Sequence, residues 1–309
     1  MKIKHYIYIV FSLLCILLFC VETLSAKRKK DKIEDVKPSA EELFIKNNFE
    51  EKSCSEWERG KQFIYVSDEL SLLLKPEGEQ LPEHVSFKGK IFTFEKIVEE
   101  SILGQAQYAV LIFDCEGKKY RYKTEKTLKE IQKGNYKPLL PDMVAKDDIL
   151  KAQQLLTGKT LYIRTPIWYN ENGVEIEGRK FVPVVINDIL PGDKVLPVKF
   201  VFKDDSGTVA NVLGTLFPET LATQYTTFDR LFNFENPRNQ YKTITDANWD
   251  LITRAKVARG MTKDECRLSL GRPNDVKRVP TYGGLKEQWF YNIGSYLFFE
   301  DGLLTDFRL

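Results

Sequence analysis

Short alternating apolar segments that recur along the chain constrain its fold most. Three segments between residues 60 and 117 each have a similar partner about 90 residues further on. The matched pairs are Gly60–Val66 with Gly158–Arg164, Phe87–Phe92 with Ile176–Phe181, and Asp114–Gly117 with Asp204–Gly207. Alternation of apolar and polar residues is typical of half-buried strands, so the pattern predicts one β unit present in two copies. The alternative is a chance similarity between two β segments rich in glycine and lysine.

Each copy predicts four or five short strands, separated by turns that contain glycine or aspartate. A unit of this size avoids exposed sheet edges by closing into a small twisted barrel, SH3-like in character. We place the first β domain at residues 51–135 and the second at 158–240, with a helical linker at 136–157. The sequence therefore predicts an α+β multidomain chain that begins with two small barrels.

The first 26 residues have the parts of a secretory signal peptide. Lys2 and Lys4 precede an apolar run over Tyr6–Val21, and cleavage is expected near Ala26. The run is shorter than the ~20 residues that a spanning helix needs. Basic residues at 27–30 resist translocation, so a retained membrane anchor stays as the alternative.

Residues 27–50 are rich in lysine and acidic residues and predict a solvated tether with peripheral membrane or glycan contact. Cys20 lies late in the leader, but Phe19 precedes it where a lipidation motif has a small residue. The sequence therefore argues against lipidation at Cys20. The expected location is the periplasm or the outer membrane.

Three cysteines follow the leader. Cys54 and Cys115 both fall in the first β domain, and an oxidising compartment would allow them to pair, so they form the candidate disulfide. The alternative is that these thiols are free and buried. Cys266 falls in an amphipathic helical pattern and is interpreted as a small core residue.

Composition argues against several classes of function. With 46 Lys and Arg against 44 Asp and Glu, the net charge of +2 gives no reason to expect a nucleic-acid partner. Of two histidines, His5 lies in the leader, so one histidine alone is left for chemistry. We predict no enzyme, no metal and no cofactor. A hydrolase or inhibitor that uses His84 is the alternative.

Two acidic pairs are interpreted as structural. Asp147 and Asp148 fall at the expected start of a helix, where negative charge is favourable. Asp204 and Asp205 fall in a hairpin turn. Neither pair has the alternating spacing of a calcium loop.

The last domain is placed at residues 241–309, and from Trp249 onwards the apolar period changes from two to about 3.6. A first helix ends at Gly260, and Thr262 with Glu265 forms a capping box for a second helix. That helix ends at Gly271, with Pro273 just beyond, and strands follow to the end of the chain. The pattern predicts two helices laid on a short antiparallel sheet.

This C-terminal segment, residues 241–309, carries a set of motifs in a fixed order. The motifs are Gly260-Met261-Thr262 followed by Glu265, Leu270–Pro273, Glu287–Tyr291, and Tyr296–Leu303. The segment resembles the SmpA/BamE-like family, the small domain of an accessory lipoprotein of the outer-membrane β-barrel assembly machinery. The resemblance implies an αα-βββ fold, an envelope location and a binding role without catalysis.

Aromatic residues are the candidate partner-binding side chains. Trp168 and Tyr169 fall in a hairpin region of the second barrel, where aromatic residues can stack on peptide or glycan; a turn packed against the neighbouring domain is the alternative. Tyr291 and Phe298 fall in the C-terminal strands, where outward-facing aromatic residues would form a partner surface. Motif residues with an expected structural role are Gly260, Thr262, Glu265, Gly271, Pro273, Trp289 and Gly302, with Trp289 expected in the core.

These observations predict an exported envelope protein with a non-catalytic binding or scaffolding role. Its expected partner is another envelope protein, with a link to outer-membrane protein assembly or envelope integrity, or peptidoglycan. In the alternative function, the SH3-like barrels bind the cell wall and the C-terminal domain stabilises them.

Overall fold

The computed structural model describes residues 37–78, 85–101, 107–217, 226–281, 284–292 and 294–309. The predicted leader, Cys20 and His84 lie outside these residues. Three antiparallel sheets and six helices in the described part give a mixed α+β, multi-sheet fold, and residues 39–309 form one compact unit. The helices are α1 Ala40–Asn48, α2 Leu128–Lys133, α3 Lys146–Leu156, α4 Phe228–Leu231, α5 Asp246–Thr253 and α6 Lys263–Leu270.

The first sheet has the strand order β2-β5-β4-β3-β1-β6. Its strands are β1 Gln62–Tyr65, β2 Leu74–Pro76, β3 Ile91–Ser101, β4 Gln107–Cys115, β5 Lys118–Lys123 and β6 Met143–Ala145. Alternate residues of β1 are buried, with Phe63 and Tyr65 pointing into the core. The pairing of β3 with β4 shifts register between Phe94 and Lys96. A bulge of this kind bends a strand and helps the sheet to curl.

The second sheet has the order β13-β7-β10-β11-β12-β8-β9. Its strands are β7 Thr160–Ile163, β8 Ile167–Tyr169, β9 Glu175–Glu177, β10 Val182–Pro191, β11 Val198–Asp204, β12 Val209–Gly214 and β13 Phe232–Asn233. Here too the first long strand is bulged, between Ile186 and Asp188 of β10.

The two sheets share one strand order. From one edge, the first runs β6-β1-β3-β4-β5-β2 and the second runs β13-β7-β10-β11-β12-β8, with β9 as an additional edge strand beside β8. Every strand of the first sheet therefore has a counterpart in the second at the corresponding place in the order. A short helix also precedes the last strand in each, α2 before β6 and α4 before β13. The sequence repeat therefore corresponds to a repeat of topology.

Helix α3 joins the two sheets. Its buried residues Ile149, Ala152 and Leu156 lie on one stripe and pack into the core of the second sheet. The segment expected to be a helical linker begins with strand β6, whose Val144 pairs with Ile64 of β1. The first sheet therefore runs directly into the helix that packs on the second.

The third sheet is a meander of β14 Asp275–Thr281, β15 Gly284–Phe290, β16 Tyr296–Glu300 and β17 Leu303–Arg308. Its core is shared with residues from the α5–α6 region. The buried members are Ile252, Val257, Met261, Cys266, Trp289, Leu297, Phe299 and Leu304. One face of the sheet is therefore covered by this core.

The C-terminal part is attached to the second sheet through the segment that precedes β10. The backbone N–H of Lys180 donates a hydrogen bond of 2.8 Å to the carbonyl of Thr253, and the rings of Phe181 and Trp249 stack at 5.8 Å. Arg179 adds an ion pair with Asp250 at 3.6 Å.

Candidate functional site

The uncovered face of the third sheet carries a group of aromatic side chains. Directly paired residues of antiparallel strands share a face. Phe290 pairs with Tyr296, and Gln288 pairs with Phe298. Trp289 and Leu297 alternate with these residues and are buried on the covered side. Phe290, Tyr296 and Phe298 therefore lie on the opposite side, and we call them the aromatic face.

The aromatic face has an apolar centre and charged surroundings. Phe298 is 37% exposed, and its ring centroid lies 5.1 Å from that of Tyr296. The Nζ of Lys277 lies 5.0 Å from the centroid of Phe290. An ion pair of 2.8 Å between Lys286 and Glu300 borders the group. Aromatic residues surrounded by charged side chains are typical of protein–protein interfaces.

A buried carboxylate fixes the strand that supports this face. Glu287 is 5% exposed and accepts hydrogen bonds from Nζ of Lys263 at 2.7 Å and Nε1 of Trp289 at 3.1 Å. Burial alone would raise the pKa of Glu287, but these hydrogen bonds and the charge of Lys263 outweigh burial and hold the pKa below its ordinary value. The ion pair ties β15 to α6, so the aromatic face is built on a rigid element.

A second candidate site is a cavity of about 150 Å³ between the first and second sheets. Most of its lining is apolar, including Phe63 of β1, Ile149 of α3 and Val198 of β11. Asp148, in the first turn of α3, also lines it. Burial raises the pKa of Asp148 to about 6, although Lys61 opposes the shift. An apolar cavity with one perturbed carboxyl group has the features of a small-ligand site.

Trp168 is not available for ligand stacking. It is 2% exposed, its Nε1 donates to the carbonyl of Thr165 at 2.9 Å, and its ring packs edge-on against Phe202 at 5.1 Å. A Cβ placed on Gly178 would lie 2.3 Å from the indole, so the chain closes directly over the ring. The interpretation of Trp168 as an accessible stacking residue is wrong. The side chain is packed, as the alternative had it, but against residues of its own sheet rather than against the neighbouring domain. Tyr169 beside it is half-buried.

The two aromatic candidates of the C-terminal strands are separated. Phe298 lies on the aromatic face. Tyr291 instead packs against the core of the third sheet, and its hydroxyl donates to the carbonyl of Gly271 at 3.2 Å. Burial raises the pKa of Tyr291 to about 12. The hydroxyl therefore helps to hold the end of α6 rather than a partner.

The motif residues have structural positions. The hydroxyl of Thr262 accepts from the N–H of Glu265 at 3.2 Å, and the carboxylate of Glu265 accepts from the N–H of Thr262 at 2.7 Å, which makes the capping box. Gly271 ends α6 at φ 86°, a conformation that favours glycine. The remaining members are Gly260 and Gly302, both at positive φ, Pro273, two residues beyond α6, and Trp289, 1% exposed in the core.

Cys54 and Cys115 are buried, free thiols within the core of the first sheet. The backbone N–H of Cys54 donates to the carbonyl of Tyr136 at 3.0 Å, while Cys115 pairs with Lys118 at the β4–β5 hairpin. The sequence left open a Cys54–Cys115 disulfide or buried free thiols, and in the structure the thiols are free. Cys266 is likewise a buried free thiol in the core of the third sheet.

Sequence reasoning missed three features of these sites. It interpreted Asp148 as a helix-start residue only, and it did not single out Lys180 or the pair Phe290 and Tyr296. The available signal was the alternation of Phe290, Tyr296 and Phe298 with the core residues Trp289 and Leu297, which marks two faces of one sheet.

Within the described ranges, no group of three or more His, Cys, Asp or Glu side chains is placed to hold a metal ion. Among the same residues, no helix combines the length and apolar character needed to cross a membrane. Comparisons with protein-family models, curated proteins and solved structures found no match to this chain.

Proposed function

We propose that this protein is an exported, non-catalytic binding protein of the bacterial cell envelope that contacts another envelope protein through the aromatic face. The observation that carries the proposal is the exposed aromatic group on a sheet whose other side is a packed core. Aromatic side chains at the centre of a patch supply much of the binding energy of protein interfaces.

The element order of the C-terminal part supports a SmpA/BamE-like domain. Helices α5 and α6 precede an antiparallel meander of four strands, one more than the three that the resemblance implies. The family-like motifs fall on the capping box of α6, on its glycine end and on strands β15 and β16. On this proposal the domain binds its partner without catalysis, in outer-membrane protein assembly or in maintenance of the envelope.

The shared strand order of the first two sheets supports two SH3-like units. In each, a short helix precedes the last strand, and the first long strand, β3 or β10, is bulged. We propose that they act as spacers, with the unit boundaries expected from the sequence. Signal-peptide cleavage near Ala26 would release the chain to the periplasm or to the outer-membrane surface.

The proposal favours a protein over peptidoglycan as the partner. The wall-binding alternative relied on Trp168 as a stacking residue, and that side chain is enclosed by the second sheet. The aromatic face also carries both signs of charge around it, from Lys277, Lys286 and Glu300. Mixed charges of this kind suit the polar rim of a protein interface.

Cross-linking in intact cells, followed by mass spectrometry of fractionated envelopes, tests the proposal. Phe298→Asp places a charge in the centre of the aromatic face, and Val209→Asp is the matched control on an exposed position of the second sheet. We expect cross-links to envelope proteins that are lost in Phe298→Asp and kept in Val209→Asp, with both variants folded by circular dichroism. Equal cross-linking by both variants, or retention on purified peptidoglycan that Phe298→Asp leaves unchanged, would contradict it.

A further inference from the structure

The cavity between the first two sheets is built from both of them. Phe63 of β1 and Val144 of β6 come from the first sheet, Val198 of β11 comes from the second, and Ile149 of α3 lies between them. Because the walls belong to separate elements, the cavity exists only where these elements meet. Its volume of about 150 Å³ is enough for a group the size of a benzene ring.

Asp148 is a half-buried carboxylate in the lining of this cavity. In the part of the chain that the structure describes, its carboxylate takes part in no hydrogen bond or ion pair. The neighbouring Asp147 has a side chain that is 70% exposed and lies 3.9 Å from Nζ of Lys61. Two adjacent carboxylates of one helical turn are thus in different situations: Asp147 is exposed beside a lysine, and Asp148 is half-buried and forms no ion pair.

Charges of both signs surround Asp148. Lys61 and Lys151 favour its ionised form, whereas Asp147 and Glu51 oppose it. Glu51 is itself paired with Lys137 at 3.3 Å. The remaining charged residues that line the cavity are Glu50, Lys52, Asp193 and Lys194. Burial is therefore the dominant influence, and it raises the pKa of Asp148 to about 6.

We infer that this cavity binds a primary ammonium group carried on a small apolar body, with the ammonium beside Asp148 and the apolar part among Phe63, Ile149 and Val198. A cation supplies the counter-charge that Asp148 lacks, and the apolar lining accepts the body of the ligand. An anionic ligand is disfavoured because it would lie against an unpaired carboxylate. The site is separate from the aromatic face and does not depend on the proposed envelope partner.

Titration of the full chain with 2-phenylethylamine, followed by NMR or calorimetry, tests this inference. The matched variants are Asp148→Asn in the cavity and Asp147→Asn as the exposed control one residue away. We expect saturable binding that weakens at least about tenfold in Asp148→Asn, the loss of one charge-assisted hydrogen bond. Asp147→Asn should bind like the unchanged protein.

A second measurement on the unchanged protein needs no variant. The neutral 2-phenylethanol has the same apolar body and should bind at least about tenfold more weakly than the amine. Affinity for the amine should also rise as the pH increases through about 6, when Asp148 becomes ionised. Absence of saturable binding, equal affinity of Asp148→Asn, or equal affinity for the alcohol would each overturn the assignment.

Discussion

The Nζ of Lys180 donates a hydrogen bond of 2.6 Å to the backbone carbonyl of Leu268. It also donates to the carbonyl of Ser269, so one lysine from the segment before β10 binds the last turn of α6. The side chain is 7% exposed. A side-chain N–H donor at a helix C-terminus is favourable because the carbonyls there are otherwise without partners. This contact fixes the C-terminal domain on the second sheet.

The first prediction concerns the pH dependence of this contact. Burial lowers the pKa of Lys180 to about 8, whereas a lysine in the unfolded chain titrates near ~10.4. Between these values the unfolded chain binds more protons than the folded one, so stability should rise with pH by about 2–3 kcal/mol. Denaturant unfolding at several pH values from neutral to alkaline measures this rise.

The Lys180→Met variant should lose this rise of stability with pH. The control is Lys203→Met, at an exposed position of β11, which should keep it. If the pH profiles of the two variants coincide, the buried lysine does not titrate in this way.

The second prediction concerns Trp168. Because its ring is enclosed by Phe202 and the backbone at Gly178, Trp168→Ala should leave a cavity and lower the free energy of unfolding by about 3–5 kcal/mol. Val209→Ala, at an exposed position, should change it by no more than ~0.5 kcal/mol. Denaturant unfolding gives both values. If the Trp168→Ala protein kept its stability but lost peptidoglycan binding, the result would contradict this prediction and support the wall-binding hypothesis.

The third prediction concerns the effect of Asp148 on the free energy of unfolding. Its pKa of about 6 lies above the ordinary value, so the folded state binds more protons between pH ~3.9 and 6 and becomes less stable as the pH rises through that range. Asp148→Asn should therefore stabilise the protein by about 1–2 kcal/mol at pH 7.5 and have little effect near pH 4. Melting temperatures at the two pH values measure the difference.

The exposed neighbour is again the control, and Asp147→Asn should show no such gain. A residue that lowers stability at neutral pH is typical of a binding site rather than of a core. Destabilisation of Asp148→Asn at pH 7.5 would remove this argument for the cavity.

The fourth prediction concerns the cysteines. Burial raises the pKa of Cys54 and Cys115 to about 11 and that of Cys266 to about 12, so few thiolates exist at neutral pH. In the native protein all three should resist alkylation and react only after unfolding, as peptide mass spectrometry would show. A Cys54–Cys115 disulfide in protein purified without reductant would show that the pair closes after export.

Local patterns in the sequence were enough to predict much of the architecture. The repeat of alternating segments predicted two similar β units, and the two sheets share one strand order. The capping box of Thr262 and Glu265 and the glycine end at Gly271 are local signals, and helix α6 lies between them. The periodicity of apolar residues and the signals for helix ends each depend on a few neighbouring residues. They can therefore be recognised in a single sequence.

The details of the sites depend on contacts between distant parts of the chain. Asp148 lines a cavity only because β1 and the β10–β11 loop meet at the start of α3. Lys180 reaches the end of α6, almost 90 residues further on. Trp168 is buried because Gly178 lets the chain pass over its ring. No periodicity in the sequence indicates contacts between such distant residues. Sequence reasoning therefore interpreted Asp148 as a helix-start residue, did not single out Lys180 and treated Trp168 as a candidate surface residue.

The most direct test of the proposed function is site-specific photo-cross-linking in intact cells. A photoreactive amino acid would replace Phe298 on the aromatic face in one strain and Val209 on the second sheet in another. The account predicts that position 298 yields a discrete adduct with an envelope protein and that position 209 yields none. The same adducts from both positions, or none from position 298 in a folded protein, would contradict it.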